Sequence, residues 1–456
     1  MSHLRHRIPI LILLLAFGTA LEAQVIPARR LTLQDAVRLA IQNNPELESS
    51  RLDAERARQR VREAWGYTMP NIGLSGQYIR AIKKSVFYLP GTFFDKPADI
   101  SVPVEIGSNH SATVGLTASQ VIFNGAIFIG VGATRTYARA ADELFDGKRI
   151  EIVARTRKSF YGVLIAREAL SLIRQSLQNA EENLKNVRLL RDQGLLSEYD
   201  ELRATVGVEN IRPSVIQAET NYDLAVDALR NTIGLTSTEP ISVEGDLTFQ
   251  PYDPGLLASP ESLLVEANSS LRALRLQRDV NEAFVKAERS NYLPTLTAFG
   301  NYQYQTQKND LRISTADFIA SSSVGLQLSI NLFQGFQTNA RVNQAEIDVL
   351  KTESQLVTVE NNLKTALRAS IGTLDQSRKR LSAQEKNVET AERGYKIVTA
   401  RFLASAATQL EVNDAQLALT QARVNRIQAV YDYLVASADL DLLLGRVPDF
   451  AKETKE

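Results

Sequence analysis

Three histidines, His3, His6 and His110, and no cysteine are present in this 456-residue chain. Arg5 and Arg7, the apolar run Ile8 to Phe17 and the small residues Gly18, Thr19, Ala20 and Ala23 form the three-part layout of a secretory signal peptide over residues 1–23. Cleavage after Ala20 or after Ala23 fits, and the run is shorter than the roughly 20 apolar residues of a membrane span. The exported chain then keeps one imidazole. A Ser-His-Asp triad, a histidine zinc site or a histidine general base would all have to use His110. That residue sits in the polar stretch Gly107-Ser108-Asn109-His110-Ser111, which reads as a loop. The lack of cysteine removes disulfides, thiolate metal sites, cysteine nucleophiles and lipid attachment through an N-terminal cysteine. Gly130-x-Gly132 lacks the third glycine of a dinucleotide fingerprint, because Arg135 stands there, and is expected to serve close helix packing. No Gly-x-Ser-x-Gly elbow and no Walker loop occur, and the carboxylates fall on helical faces where solvation is the default. The residues point away from an enzyme and call for no cofactor or metal.

Lys plus Arg and Asp plus Glu each number 52, so there is no basic footprint for nucleic acid. With 44% hydrophobic residues the chain has ample material for an ordered structure. Its organisation is a repeat. Asn44, Arg51, Leu52, Val61, Pro70, Gly76 and Tyr78 recur 224 residues later as Asn268, Arg275, Leu276, Val285, Pro294, Gly300 and Tyr302. Val114-Gly115-Leu116 and Phe123-x-Gly125 recur at an offset of 210, so the first copy holds 14 extra residues between Tyr78 and Val114. Leu170, Ala180, Glu181, Ala204, Tyr222 and Gly234 recur at an offset of 211. The expected division is repeat 1 at 24–235, a linker at 236–259, repeat 2 at 260–446 and a tail at 447–456.

Each copy has the same plan. Helical periodicity from Leu33 to Tyr67, interrupted at Pro45, stops where Met69-Pro70 forces the chain out of helix. The period then becomes two, which predicts strands at about 69–82, 111–123, 293–306 and 319–333, each with a small, polar, nearly uncharged second face. Ten residues suit a tilted strand that crosses a membrane. Long helices follow at about 126–191 and 198–233, and at about 336–403 and 408–444. Steps of 4 and 3 from Ile152 through Thr156, Ser159, Val163, Ala166, Leu170, Ile173, Leu177, Ala180 and Leu184 to Val187 form a coiled-coil seam. Leu417, Thr420, Val424, Ile427, Tyr431 and Leu434 are its expected counterpart on the second return helix. Pro213 predicts a kink or break in the first. Residues 81–109, with Lys83-Lys84, Pro90-Gly91, Pro97 and Pro103, suit an irregular extracellular loop.

Four strands cannot close a barrel, and an open sheet edge in lipid leaves backbone groups without partners. The chain must therefore oligomerise. Two copies would give eight strands and a filled interior, whereas three give twelve and a lumen, and the polar strand face favours three. The fold class is an α+β membrane protein: a trimeric twelve-stranded barrel continued by a coiled-coil helical tunnel. A coiled-coil scaffold without a pore, periplasmic or on the surface, is the competing reading.

From residue 31 to 446 this order resembles the TolC family of outer-membrane efflux channels. The resemblance is carried by the two copies, the Met69-Pro70 and Leu293-Pro294 junctions, and the tip residues Arg191, Gly194, Asp200, Leu202 and Ala204, echoed by Arg401 and Glu411-Val412-Asn413-Asp414-Ala415-Gln416. It implies a homotrimer in outer-membrane lipid that docks to a periplasmic adaptor and an inner-membrane transporter of RND, ABC or MFS type. It further implies that Gly194, Leu195, Ser197, Ser405, Ala406 and Thr408 make the adaptor contact at the hairpin tips, and that Glu411 and Asp414 form acidic rings at the periplasmic mouth. Ser405 stands where the tip glycine is usual, and Ala407 where a basic lock residue can occur. The residues select no cargo: drug, metal and protein export all fit.

Overall fold

Asn44 and Asn268 do the same work at the start of each repeat. Each side-chain oxygen accepts from two backbone amides of the following helix, Glu46 and Leu47 in one case, Ser270 and Leu271 in the other. Each amide nitrogen donates to the end of a distant helix, at Thr232 O (2.8 Å) and Leu443 O (3.2 Å). Gly234 and Gly445 sit beside these joints at φ of 71° and 65°, and a Cβ on either would collide with the backbone at Asn43 or Ala267. The sequence repeat is thus a repeat of one helix-to-helix joint.

The computed structural model describes residues 29–235, 240–404 and 406–448. The leader at 1–23, Ser405 and most of the tail lie outside the described residues. The first repeat runs β1 (Arg29–Leu31), α1 (Leu33–Asn43), α2 (Pro45–Gly66), β2 (Asn71–Arg80), β3 (Ser85–Pro90), β4 (Ser101–Ile106), β5 (His110–Phe123), α3 (Gly125–Asp192) and α4 (Glu198–Thr232). β6 (Ile241–Val243) and α5 (Pro260–Ala267) lead into the second, with α6 (Ser269–Ser290), β7 (Thr295–Lys308), β8 (Ile319–Ser329), α7 (Gln337–Leu403) and α8 (Gln409–Leu443). α3 and α7 have 68 and 67 residues, each on the order of 100 Å at 1.5 Å per residue. No helix among the described residues is long and apolar enough to cross a membrane.

The segment joining the repeats is tied down. β6 pairs in parallel with β1, Arg29 opposite Ile241 through Leu31 opposite Val243, and this small sheet seats the first core against Phe160, Val163 and Leu229. Arg157 and Asp441, both largely buried, pair at 2.6 Å, and the Tyr252 hydroxyl donates to the other Asp441 oxygen at 3.0 Å. Those contacts join α3, the linker and α8.

Five expectations need correction. Of the kink or break expected at Pro213, the break is absent: α4 runs on through it, and its exposed position lets water reach the carbonyl that the ring leaves without an amide donor. The 81–109 segment is not irregular: β3 and β4 form an antiparallel hairpin, Ser85 opposite Ile106 and Pro90 opposite Ser101. His110 is the first residue of β5, 7% exposed, with Nδ1 2.7 Å from the Tyr78 hydroxyl. Gly130 and Gly132 have nothing within 4 Å of a Cβ position, so they make no close helix contact within the chain. The seam of α8 is displaced toward the tip, with Val412, Gln416, Leu419, Val430, Tyr433 and Leu440 buried and Leu417 68% exposed, while the expected Tyr431 and Leu434 do pack into the first core. α8 is held between α7 and α3 and turns Leu417, Thr420 and Val424 toward an open cleft beside α4.

Candidate channel wall and helical tips

The four long strands form one antiparallel sheet in the order β2-β5-β7-β8, with β2 and β8 as edges. Because residues opposite one another share a face, the register decides what that sheet can do. Leu74 lies opposite Leu116, Leu116 opposite Tyr302, and Gly300 opposite Val324. One face thereby collects Ile72, Leu74, Tyr78, Val114, Leu116, Tyr302, Tyr304, Val324, Leu326 and Leu328, all more than 40% exposed. Ser75, Gln77, Thr113, Thr117, Ser119, Asn301, Gln303, Gln305, Ser321, Ser323 and Gln327 fall on the other. The alternation of four separate strands is in phase, which gives a two-sided wall, apolar and polar.

Ile79, Phe299 and Ile319 are exceptions on the polar side, and Gly325 opposite Phe299 makes room for its ring. A Cβ at Gly325 would stand 2.7 Å from the Phe299 ring. Glycine here admits an aromatic ring across the strand. Between Val121 and Phe123 the register shifts, a bulge at the end of β5 where the chain turns into α3.

At the far ends of the helices the two hairpin tips are built alike. Ser197 starts α4 with a reciprocal cap: its hydroxyl accepts from the Asp200 amide, and Asp200 accepts from the Ser197 amide at 3.0 Å. Thr408 and Glu411 repeat this at α8, the Thr408 amide donating to Glu411 Oε2 at 2.6 Å. Both carboxylates satisfy amides that a helix start leaves open. The Thr408 backbone and hydroxyl bonds hold the Glu411 carboxyl below its usual range. Gly194 ends α3 at φ 76°, and the Leu195 amide reaches back to Leu190 O at 2.9 Å. The Ala406 amide makes the equivalent bond to Arg401 O at 2.8 Å, while the Arg401 guanidinium donates to Ala406 O at 2.8 Å. Arg191 bridges to Asp192 and Glu201 at the first tip, where Arg188 also donates to Glu201 at 3.0 Å.

The tips touch one another. Leu184, Val187, Ala204 and Val208 of the first hairpin form one buried cluster with Phe402 and Val412 of the second. Gln416 also donates to Ser176 O at 3.1 Å. Farther along, α3, α4 and α8 border a cleft of about 430 Å³ lined by Asn183, Asn210, Asn413, Gln416 and Leu417 among others. Gly194, Leu195, Ser197, Ala406 and Thr408 are all exposed at the turns, and Asp414 is exposed with no ion-pair partner among the described residues. Leu195 in the turn and Tyr199, Leu202 and Val206 on α4, each more than half exposed, follow steps of 4, 3 and 4 and form an apolar stripe, of which the sequence points only to Leu195 and Leu202, and those singly. Heptad spacing was the available signal, and only burial shows that this seam has no partner within the chain. The described residues contain no cluster of metal-ligating side chains.

The family described as outer membrane efflux protein matches residues 36–235 and 262–446. The outer membrane protein TolC of Salmonella enteritidis is 24% identical over 414 residues, 88% of this chain and 79% of that protein. The cobalt-zinc-cadmium resistance protein CzcC of Cupriavidus metallidurans is 26% identical over 354 residues, 76% of this chain and 77% of that one. Among solved structures, the Campylobacter jejuni CmeC outer membrane channel superposes with a TM-score of 0.75 at 16% identity, covering 93% of this chain and 88% of that one. The fold is that of these channels, a sheet domain carried on a helical tunnel, and the chain belongs to the outer membrane efflux protein family.

Proposed function

We propose that three copies of this chain close a twelve-stranded barrel and act as the passive exit duct of a tripartite efflux or type I secretion assembly. The observation that carries this reading is the four-strand sheet, apolar on one face, mainly polar and free of charge on the other, with β2 and β8 left as open edges. In hydrocarbon those edges need partners, and joining β8 of one copy to β2 of the next supplies them. Eight strands would leave an interior that side chains fill, whereas twelve leave a water-filled lumen walled by Ser, Thr, Asn and Gln. Such a lining discriminates little, which suits a duct whose cargo is chosen by the transporter behind it.

The helical tips are the ends that meet other proteins. Gly194, Leu195, Ser197, Ser405, Ala406 and Thr408 contact the periplasmic adaptor, with the Leu195–Val206 stripe extending that surface. Glu411 and Asp414 ring the axis at the periplasmic mouth, where carboxylates favour cations over anions. The decisive test is mass and conductance of the detergent-extracted full chain. A trimeric mass with voltage-independent conductance in planar bilayers is the expected result. A detergent-independent soluble rod without conductance would establish the pore-free scaffold instead.

A further inference from the structure

The strand residues 71–79, 111–123, 295–307 and 319–329 contain no Asp, Glu, Lys, Arg or His. The first charge-bearing side chains appear together, at the end of the sheet away from the helices. Arg80 lies opposite His110, and His110 opposite Lys308. These three are one cross-strand row over about 10 Å, at about 4.8 Å between strands. Their face is the apolar one, shared with Leu74, Leu116 and Val324, and next to them it carries the exposed rings of Tyr78, Tyr302 and Tyr304. Tyrosines on a barrel's outer surface mark the level where hydrocarbon gives way to headgroups.

The row has one free cation and one tethered one. Lys308 pairs with Asp317 at 2.6 Å and donates to Arg312 O at 3.1 Å. Tyr78 fixes the His110 ring at 2.7 Å. Arg80 is exposed, and among the described residues no hydrogen bond or ion pair engages its guanidinium. Charge also sorts by height: the rim segments 80–84 and 308–317 hold five basic residues and two acidic ones, whereas 85–106 in the hairpin beyond holds one basic and three acidic. Positive charge is concentrated where a lipid phosphate would lie.

We propose that this row binds the phosphate of an anionic outer-leaflet glycolipid, with Arg80 as its principal ligand. The planar fork of arginine matches two phosphate oxygens, whereas Lys308, on the far side of His110, has its charge compensated by Asp317 and leaves Arg80 as the ligand. The inference rests on the apolar face meeting lipid. Purified full-length protein in neutral detergent is titrated with bisphosphorylated lipid A, with its dephosphorylated form and with inorganic phosphate. Wild type should bind the bisphosphorylated lipid at least tenfold more tightly than the dephosphorylated one. Arg80→Gln should remove about tenfold of that affinity, Arg80→Lys should restore part of it, and inorganic phosphate should not compete at equal concentration. Equal binding of both lipids, an unchanged Arg80→Gln, or full competition by inorganic phosphate would each overturn the proposal. Insertion into phosphatidylcholine liposomes, measured in parallel, keeps the two readings apart. Loss of insertion refutes the lipid-facing wall itself, whereas normal insertion with no phosphate dependence refutes only the row.

Discussion

The Thr408 amide donates to Glu411 Oε2 at 2.6 Å, and the Thr408 hydroxyl accepts from the Glu411 amide in return. The acidic residue expected at the channel mouth is therefore also the cap of the helix that carries it. The first tip repeats the arrangement with Ser197 and Asp200. Thr408→Val should loosen the start of α8 by about 1 kcal/mol, seen as roughly fivefold faster amide exchange at residues 410 and 411. Unchanged exchange rates there would show that the cap contributes nothing.

Charge at the mouth has its own signature. Replacing Glu411 and Asp414 together by Ala should lower cation preference, read as a smaller reversal potential in a salt gradient, with assembly intact because neither lies in the sheet. Within one chain the Thr408 amide and hydroxyl hold the Glu411 carboxyl below its ordinary range. A reversal potential indifferent to both replacements would mean that the two acids are solvated helix charges.

Glu46 supplies a second pH dependence. Arg155 at 2.6 Å and, next to it, Lys148 at 2.8 Å hold its carboxyl at about 2, tying α2 to α3. A depressed pKa stabilises the folded chain fully above the ordinary value of 4.5, and that contribution is lost as pH falls from there toward about 2. Thermal melting of Glu46→Gln should therefore show a shallower fall across this window than wild type. Parallel curves would exclude the link.

The joint that closes each repeat and the hairpin tip place different demands on their glycines. Gly194→Ala meets open space and should cost about 1–2 kcal/mol, for the left-handed backbone alone. Gly234→Ala adds a collision with the Asn43 carbonyl and should cost clearly more, as should Gly445→Ala at Ala267. Asn44→Ala, which removes two accepted bonds and one donated to Thr232, should cost about 1–2 kcal/mol. Denaturant midpoints of the four variants order these effects.

An epitope at the 91–99 turn of the β3–β4 hairpin should be labelled by antibody on intact cells, since the hairpin leaves the sheet at the end away from the helices. Asn309, which accepts from Lys84 at 2.9 Å and from the Asn109 amide at 3.2 Å, braces the hairpin base and should be left unaltered. Labelling only after permeabilisation would reverse the orientation.

Much of this was legible in the chain as written, because it depends on local physics. Offsets of 224 and 211 put an asparagine and a glycine at each joint, and both are residues whose local geometry, a cap and a left-handed turn, no other type meets as cheaply. Period two in the strands, a 4–3 seam from Ile152 to Val187 and Pro70 after Met69 likewise reflect backbone periodicity and ring sterics. Tertiary structure decided what depends on neighbours distant in sequence. His110 lies in a polar run that reads as a loop, yet pairing with Arg80 and Lys308 makes it strand and Tyr78 covers it. Leu417 belongs to a regular heptad and is still exposed, because periodicity gives a helix its stripe while the arrangement of α3, α4 and α7 determines which stripe is buried. The alternation of each strand was visible alone, but only the register put four apolar sets on one face, since a slip of one residue would have turned any of them to the other side.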